Sequence, residues 1–228
     1  MGIADFHAHI LPKADHGSNS LSTSLVQLRR AKAANVDEIF TTPHFYVDQN
    51  PIDKFLSRRE RCFDTLQNAA ILHNIDIKLH KSAEVTLVLG LSKLPDLDKL
   101  CIENTRYMLL EMPIVEPWQP WVYSAIDELR DRGIEPILAH IERYDKASLE
   151  RIFEYDIKTQ INANSLFNGY FTRRRIKSYI SSGLVHFIGS DVHKDGRHYE
   201  QLSKAEKILG RRTLNKFSEN ARDLLTHK

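Results

Sequence analysis

Asp5-Phe-His-Ala-His-Ile-Leu-Pro-Lys-Ala-Asp-His-Gly17 follows a short apolar run at the start of the chain and reads as a β-strand ending in a loop. Side chains alternate faces along a strand, so His7 and His9 point the same way and can grip one metal ion. His16, or its neighbour Asp15, follows in the same loop. Imidazole and carboxylate suit manganese, iron or zinc better than the thiolate-loving metals. Taken alone, the cluster is more cheaply read as partly exposed histidines at a strand end. The stretch decides the fold because its arrangement, a ligand delivered by the end of a strand, recurs along the chain.

Short apolar or β-branched runs alternate with longer helical patterns, the mark of βαβ units around a parallel sheet. After the first strand, Ser20 or Ser22 can cap a helix reaching Ala34, with Leu25, Leu28 and Ala31 at helical spacing. Residues 38–42 read as a second strand, ending in Pro43-His44. A helix over 51–73 precedes strand three at 76–80, with Glu84 just beyond it. Strand four, 107–111, ends in Glu111. A proline-rich loop over 113–120 enters a helix that Gly133 stops. Strand five, 135–139, is followed by His140; strand six spans 158–162 and its helix 172–182. Strand seven, 184–189, runs into Asp191 and His193, and 199–225 reads as two or three short helices.

His7, His9, His44, Glu84, Glu111, His140, Asp191 and His193 thus come from six separate places, each at or just past the C-terminal end of an expected strand. In a closed parallel barrel those ends meet on one face, where barrel enzymes place their sites. Each residue has a bland explanation singly: Glu84, Glu111 or Asp191 as a helix cap, His44 as a loop histidine after proline. Jointly the metal reading is far better, because all are types that bind hard or borderline metals. His73, His80, His186, His198 and His227 fall within helices, inside strands or in tails, and read as structural or solvated. Asp96-Leu-Asp98 resembles half of an aspartyl-phosphate motif but has no strand-end context.

Composition narrows the class. The 228 residues are 42% apolar and 27% charged, ordinary for a soluble enzyme and enough for one large core, so one domain over 1–228 is expected. A net charge of +2 argues against a nucleic-acid partner, and arginine clusters such as 173–175 read as solvated helix faces. No apolar run is long enough to span a bilayer and the N-terminus has no leader pattern, so a cytoplasmic protein without membrane insertion is expected. Cys62 and Cys101 are isolated. Asn68 and Tyr107 stand where a cysteine phosphatase needs its phosphate-binding arginine, so a thiolate nucleophile is not expected.

With these residues assembled, the chain resembles the polymerase and histidinol phosphatase (PHP) superfamily, and within it the manganese-dependent tyrosine phosphatases of bacterial capsular and exopolysaccharide biosynthesis. The resemblance is carried by Asp5-Phe-His-Ala-His-Ile-Leu-Pro12, Thr42-Pro-His44, Ala83-Glu84, Leu110-Glu111, Ala139-His-Ile-Glu-Arg-Tyr144 and Gly189-Ser-Asp-Val-His193. Gln160-Ile-Asn-Ala-Asn-Ser165 and Ser218-Glu-Asn-Ala221 support it. It implies an α/β fold, a distorted TIM-like barrel of about seven parallel strands, holding up to three divalent ions, Mn²⁺ first among them. His7, His9, Glu84 and Asp191 would hold one ion, Glu84, Glu111 and His140 a second, and His16, His44 and His193 a third. Two departures stand out: the family commonly has Asp-Asp-Gly at Asp15-His16-Gly17, and proline at Ile141. With His16 the third ligand set is all imidazole, which shifts its preference toward Zn²⁺ or iron; Asp15 is the alternative ligand.

The implied activity is hydrolysis of phosphotyrosine on a protein, expected to be a tyrosine kinase controlling polysaccharide synthesis or export. A metal-bridging hydroxide would attack phosphorus, with Arg143 and Arg197, just beyond the ligands His140 and His193, forking onto phosphate oxygens. A small-molecule phosphatase of the histidinol-phosphate type, and a weakly catalytic metal-binding regulatory module, are the competing readings. Oligomeric state is not legible here.

Overall fold

The computed structural model describes residues 2–114, 117–194 and 197–226, so His227 and residues 115 and 116 of the proline-rich loop lie outside the described residues. Along it run β1 (Ile3–Ala8), α1 (Leu21–Ala33), β2 (Val36–Thr41), β3 (His44–Phe45), α2 (Ile52–Leu72), β4 (Lys78–Lys81), β5 (Glu84–Thr86) and β6 (Tyr107–Glu111). The second half carries α3 (Pro120–Asp131), β7 (Glu135–Leu138), α4 (Lys146–Phe153), β8 (Lys158–Asn162), α5 (Tyr170–Ser181), β9 (Phe187–Gly189), α6 (His198–Leu209) and α7 (Arg211–Leu224). Local signals set several boundaries. Ser20 caps α1, its Oγ accepting the Thr23 N–H at 3.1 Å. Gly133, at φ +75°, ends α3 in the left-handed region.

The strands pair in the orders β1-β2-β4 and β3-β5-β6-β7-β8-β9, every pair parallel. β3 continues the line of β2 beyond Thr42-Pro43, and β5 continues β4 beyond Ser82-Ala83, so the nine segments occupy the seven expected strand positions. Past β9 the chain returns to β1: the Asp191 N–H donates to the His7 carbonyl at 2.8 Å and the His9 N–H to the Val192 carbonyl at 3.1 Å. The parallel sheet thereby curls into a distorted barrel, with helices as the crossovers that parallel pairing demands.

Three expectations need correcting. Glu84 opens β5 and does not lie beyond a strand; the Glu84 N–H donates to the Pro43 carbonyl at 3.1 Å and restarts the pairing that residues 82–83 interrupt. Strand seven is shorter than 184–189, because the Thr159 N–H is taken at 3.1 Å by Nδ1 of His186 and not by a strand carbonyl. The helix α4 was not anticipated, although Asp145 caps it by accepting the Ser148 N–H at 3.0 Å.

Inside the curl, Phe6, Phe40, Leu109, Ile137 and Phe187 form an apolar plug, with the Phe6 and Phe187 rings stacked at 4.0 Å. Ala221 and Leu224 of α7 join this cluster. Ser218 Oγ accepts the Ala4 N–H, Arg222 bonds the Gly2 carbonyl, and Asn220 bonds the His186 carbonyl, so α7 closes the end where strands begin. His80, beside that end, is buried with carboxylates at both ring nitrogens, Glu38 at 3.0 Å and Glu103 at 2.9 Å, as a structural histidine would be. The strand C-termini are left to form the open face. Among the described residues no helix is long and apolar enough to cross a membrane.

Candidate metal centre

The open face collects His7, His9, His44, Glu84, Glu111, His140, Asp191 and His193. A register irregularity between Asp5 and Ala8 lets Phe6 join the apolar plug while its neighbour His7 faces the site above it. Two glycines make room. A Cβ on Gly189 would stand 2.5 Å from the His7 Cβ, and one on Gly17 would stand 2.3 Å from the His9 Cβ.

Glu84, 1% exposed, is the hub. Its Oε2 lies 3.2 Å from His7 Nε2, 3.3 Å from His9 Nε2 and 3.0 Å from His44 Nδ1, while Oε1 lies 2.9 Å from His140 Nε2. Glu111 Oε1 is 3.7 Å from the same His140 nitrogen. Asp191 Oδ1 approaches His7 and His9 at 3.8 and 3.5 Å, and His193 Nδ1 at 3.6 Å. Burial alone would push the Glu84 carboxyl up, but the charge of His7 and the bond from His140 hold it well below the usual carboxylate range.

The donor set fits divalent cations. Among the described residues, three groups each offer ligand atoms within 4.8 Å of one another: His7, His9 and Asp191; His44, Glu84 and Glu111; and His9, His44 and His193. His44 Nδ1 and Glu84 Oε2 are both fully buried yet make no hydrogen bond, although only 3.0 Å separates them. Two orphaned buried donor atoms side by side are what a shared cation would satisfy. Likewise the Nε2 atoms of His7 and His9 face each other at 3.0 Å; with both rings neutral and their Nδ1–H groups on Gln160 and Asp15, the two lone pairs would share a cation.

His16 joins none of these groups. It is exposed, with its ring 4.6 Å from that of His44 and 4.9 Å from that of His193, at the open side of the all-imidazole set. Both Asp15 oxygens are already engaged. Oδ2 faces His9 Nδ1 at 2.7 Å and accepts the His44 N–H at 2.9 Å, and Oδ1 accepts the Gly17 N–H at 2.9 Å. Against the upward push of burial, these bonds, that of His9 foremost, hold Asp15 far below the usual carboxylate range. Arg143, on the turn after His140, donates to Asp191 Oδ2 at 2.5 Å, and Arg197 lines the adjoining groove.

Several supporting residues escape a search for ligands alone. Gln160 Oε1 accepts the His140 N–H at 2.7 Å, and Tyr144 Oη lies 3.2 Å from His140 Nδ1 while accepting the Met112 N–H at 3.0 Å. Asn162 Nδ2 donates to Asp191 Oδ2 at 2.8 Å. Asp5 anchors the turn before Asp191: its oxygens accept the Ser190 N–H and Oγ–H, each at 2.7 Å. Burial, outweighing those bonds, raises its pKa to about 6. Gln160 and Asn162 were legible as polar residues two apart on a buried strand, and Asp5 as an acid within an apolar one. His198, expected to be structural or solvated, abuts the site, its Nδ1 2.9 Å from the Asp191 carbonyl. Arg175 of α5 clamps the Arg143 turn through the carbonyls of Glu142 and Tyr144.

Known proteins match along nearly the whole chain. The Tyrosine-protein phosphatase CpsB of Streptococcus agalactiae is 29% identical over 247 aligned positions, covering 97% of each chain. The Putative tyrosine-protein phosphatase CapC of Staphylococcus aureus is 30% identical over 203, covering 84% of this chain and 77% of that one. In fold, the chain superposes with a TM-score of 0.83 and 23% identity on a crystal structure from work on YwqE of Bacillus subtilis and CpsB of Streptococcus pneumoniae, described as metal-dependent tyrosine phosphatases. The superposition covers 99% of this chain and 95% of the other. The sequence profile of one family, described as capsular polysaccharide synthesis, CpsB/CapC, matches residues 3–226. The chain belongs to the CpsB/CapC family of capsular polysaccharide synthesis proteins.

Proposed function

We propose that this chain is a divalent-metal-dependent phosphotyrosine-protein phosphatase, a single PHP-type domain over 1–228 that acts in the cytoplasm on a tyrosine kinase of polysaccharide synthesis or export. The carrying observation is the pair of orphaned buried atoms, His44 Nδ1 and Glu84 Oε2, among converging imidazoles and carboxylates. The tyrosine phosphatases named among its relatives support the substrate class. His7, His9 and Asp191 would hold one ion, Glu84, Glu111 and His140 with His44 a second, and His44 and His193 a third, with His9 or His16. The carboxylate-bearing sets suit Mn²⁺ and the imidazole set accepts Zn²⁺ or iron. When bound, such ions neutralise phosphoryl oxygens and make water nucleophilic near neutral pH.

The chain's own groups do the rest. The buried shell excludes bulk water from the Glu84 side and strengthens every electrostatic contact there. Arg143 and Arg197 would orient the phosphoryl group from the groove side. Turnover of a phosphotyrosine peptide against histidinol phosphate tests the reading: the peptide is expected to be the better substrate, and preference for the metabolite would overturn it.

No thiol is placed to take part. Cys101 is buried in the core, where desolvation pushes its pKa up to about 12, and burial raises Cys62 as well. Cys62→Ser combined with Cys101→Ala is expected to keep turnover within about twofold of wild type, and iodoacetamide to leave wild type active. Inactivation on alkylation would reverse the assignment.

Asp15 acts here by holding His9 and the His44 backbone, without binding metal itself. Asp15→Ala is expected to weaken metal affinity and kcat/KM by about 10- to 100-fold, the usual cost of losing such a support. Isothermal titration of the apoprotein with Mn²⁺ reads it. His16→Ala should by contrast lower the stoichiometry by at most one ion; full stoichiometry in His16→Ala with an ion lost in Asp15→Ala would make Asp15 the ligand.

A further inference from the structure

The metal centre opens into a groove of about 790 Å³, larger than one phosphorylated side chain requires, which continues away from the ligands along α6. His16, Asp191 and His193 lie at its inner end; Lys204 and Gln201 lie along the helix. His198, Gln201 and Lys204 follow at three-residue spacing, so α6 presents one face as a wall. The start of that face is fixed to the site by His198 against the Asp191 carbonyl.

The wall is charged. Among the described residues, Arg143, Lys194, Arg197 and Lys204 line the groove with Asp191 and Glu200 as the carboxylates, and Asp191 already binds Arg143. Lys194 and Lys204 are exposed and have no ion-pair partner among the described residues. Glu200, one turn before Lys204 on the same helix, makes no ion pair with it among the described residues. Lysines that reach solvent without a partner along a groove leading from a hydrolytic centre favour an anionic ligand segment.

We propose that this groove selects substrates carrying a carboxylate side chain about three residues from the phosphotyrosine, with Lys204 as the specificity-determining residue. The distance follows from the helix: His198 to Lys204 is six residues, about 9 Å at 1.5 Å per residue, which an extended peptide covers in about three residues. A phosphotyrosine whose phosphoryl group reaches the ions and whose backbone passes beside His198 then lays its third neighbour beside the Lys204 ammonium. The inference rests on the proposed phosphatase activity and deepens it.

The test compares three phosphotyrosine peptides identical but for Glu, Gln or Lys at the third position on both sides. Wild type is expected to prefer Glu over Gln by about fivefold in kcat/KM, mainly through KM, the size of an exposed ion pair. The preference should shrink as salt is raised from about 0.05 to about 0.5 M. Lys204→Glu is expected to invert the order so that the Lys peptide becomes the best of the three, and Lys204→Gln to flatten it. A merely structural role for Lys204 would lower all three peptides together and keep their order. Equal turnover of the Glu and Gln peptides by wild type, or an unchanged order in Lys204→Glu, overturns the proposal. Wild-type hydrolysis of p-nitrophenyl phosphate, which has no flanking residues, separates the two failures: with it intact only the groove assignment falls, and without it the phosphatase reading falls as well.

Discussion

Glu84→Gln is expected to cut kcat/KM by about 10³-fold or more and to leave the purified protein short of at least one ion. The substitution keeps volume and shape in a site where Glu84 is 1% exposed, so the loss is one of charge and donor chemistry, not packing. A carboxylate offers lone pairs to all four imidazoles around it, at 2.9 to 3.3 Å. An amide would place N–H donors where Oε2 now stands without a hydrogen-bond partner, against nitrogens whose lone pairs are needed for the cations. Metal analysis and steady-state kinetics read the two effects together. Chelation should take wild type to the same floor, and added Mn²⁺ should restore wild type but not Glu84→Gln. Wild-type metal content and turnover in the variant would remove Glu84 from the centre and with it the hub of the proposed site.

The candidate ligands could be picked out because two independent signals coincide at most of them: a residue type that binds hard or borderline metals, and a place at a strand's end, which Glu84 and His44 reach only as the first residues of short continuing strands. The second signal needs only the alternation of apolar runs, which local sequence carries. The partners of the supporting residues were hidden for the opposite reason. Asp5 meets Ser190 across 185 residues, Asn162 meets Asp191 across 29, and Gln160 meets the His140 backbone across 20, so nothing near any of them in sequence announces the partner. Asp15 and His16 show the limit at its finest. Adjacent in one loop, both are chemically able to bind a cation, and only the hydrogen bonds from His9, His44 and Gly17 distinguish them.

The same division explains the fold. Seven strand positions could be read because parallel strands are buried on both faces and announce themselves as apolar runs, as residues 107–111 do without error. The breaks within two of them could not. Thr42-Pro43 and Ser82-Ala83 interrupt neighbouring strands side by side, and it is there that His44 and Glu84 pair, bringing a ligand from each strand into register. A break of this kind is a property of the pair. The side chain of His186, standing in for a backbone acceptor, shortens the last strand in a way that no single-strand pattern contains.

Arg143→Ala is expected to lower kcat/KM by about 10²-fold, equivalent to about 3 kcal/mol of transition-state stabilisation, while metal content stays near that of wild type. The guanidinium spends one donor on Asp191 Oδ2, which fixes its plane, and its remaining N–H groups line the groove where a phosphoryl group would enter. Charge developing on phosphoryl oxygens would strengthen those bonds more than the ground state does, so the loss should fall mainly on kcat. Asp191 keeps its orientation without Arg143, because Asn162 Nδ2 bonds the same oxygen at 2.8 Å and leaves Oδ1 facing His7 and His9. Arg143→Lys should recover only part of the loss, since a point charge cannot hold Asp191 and fork onto a phosphate at once. Arg197→Ala, at the start of α6, should cost a similar factor. If the two arginines grip one phosphoryl group, the double variant should lose less than the product of the single losses. Metal lost in proportion to activity in Arg143→Ala would reduce that arginine to a prop for Asp191, and wild-type kinetics in either variant would demote it to a structural ion pair.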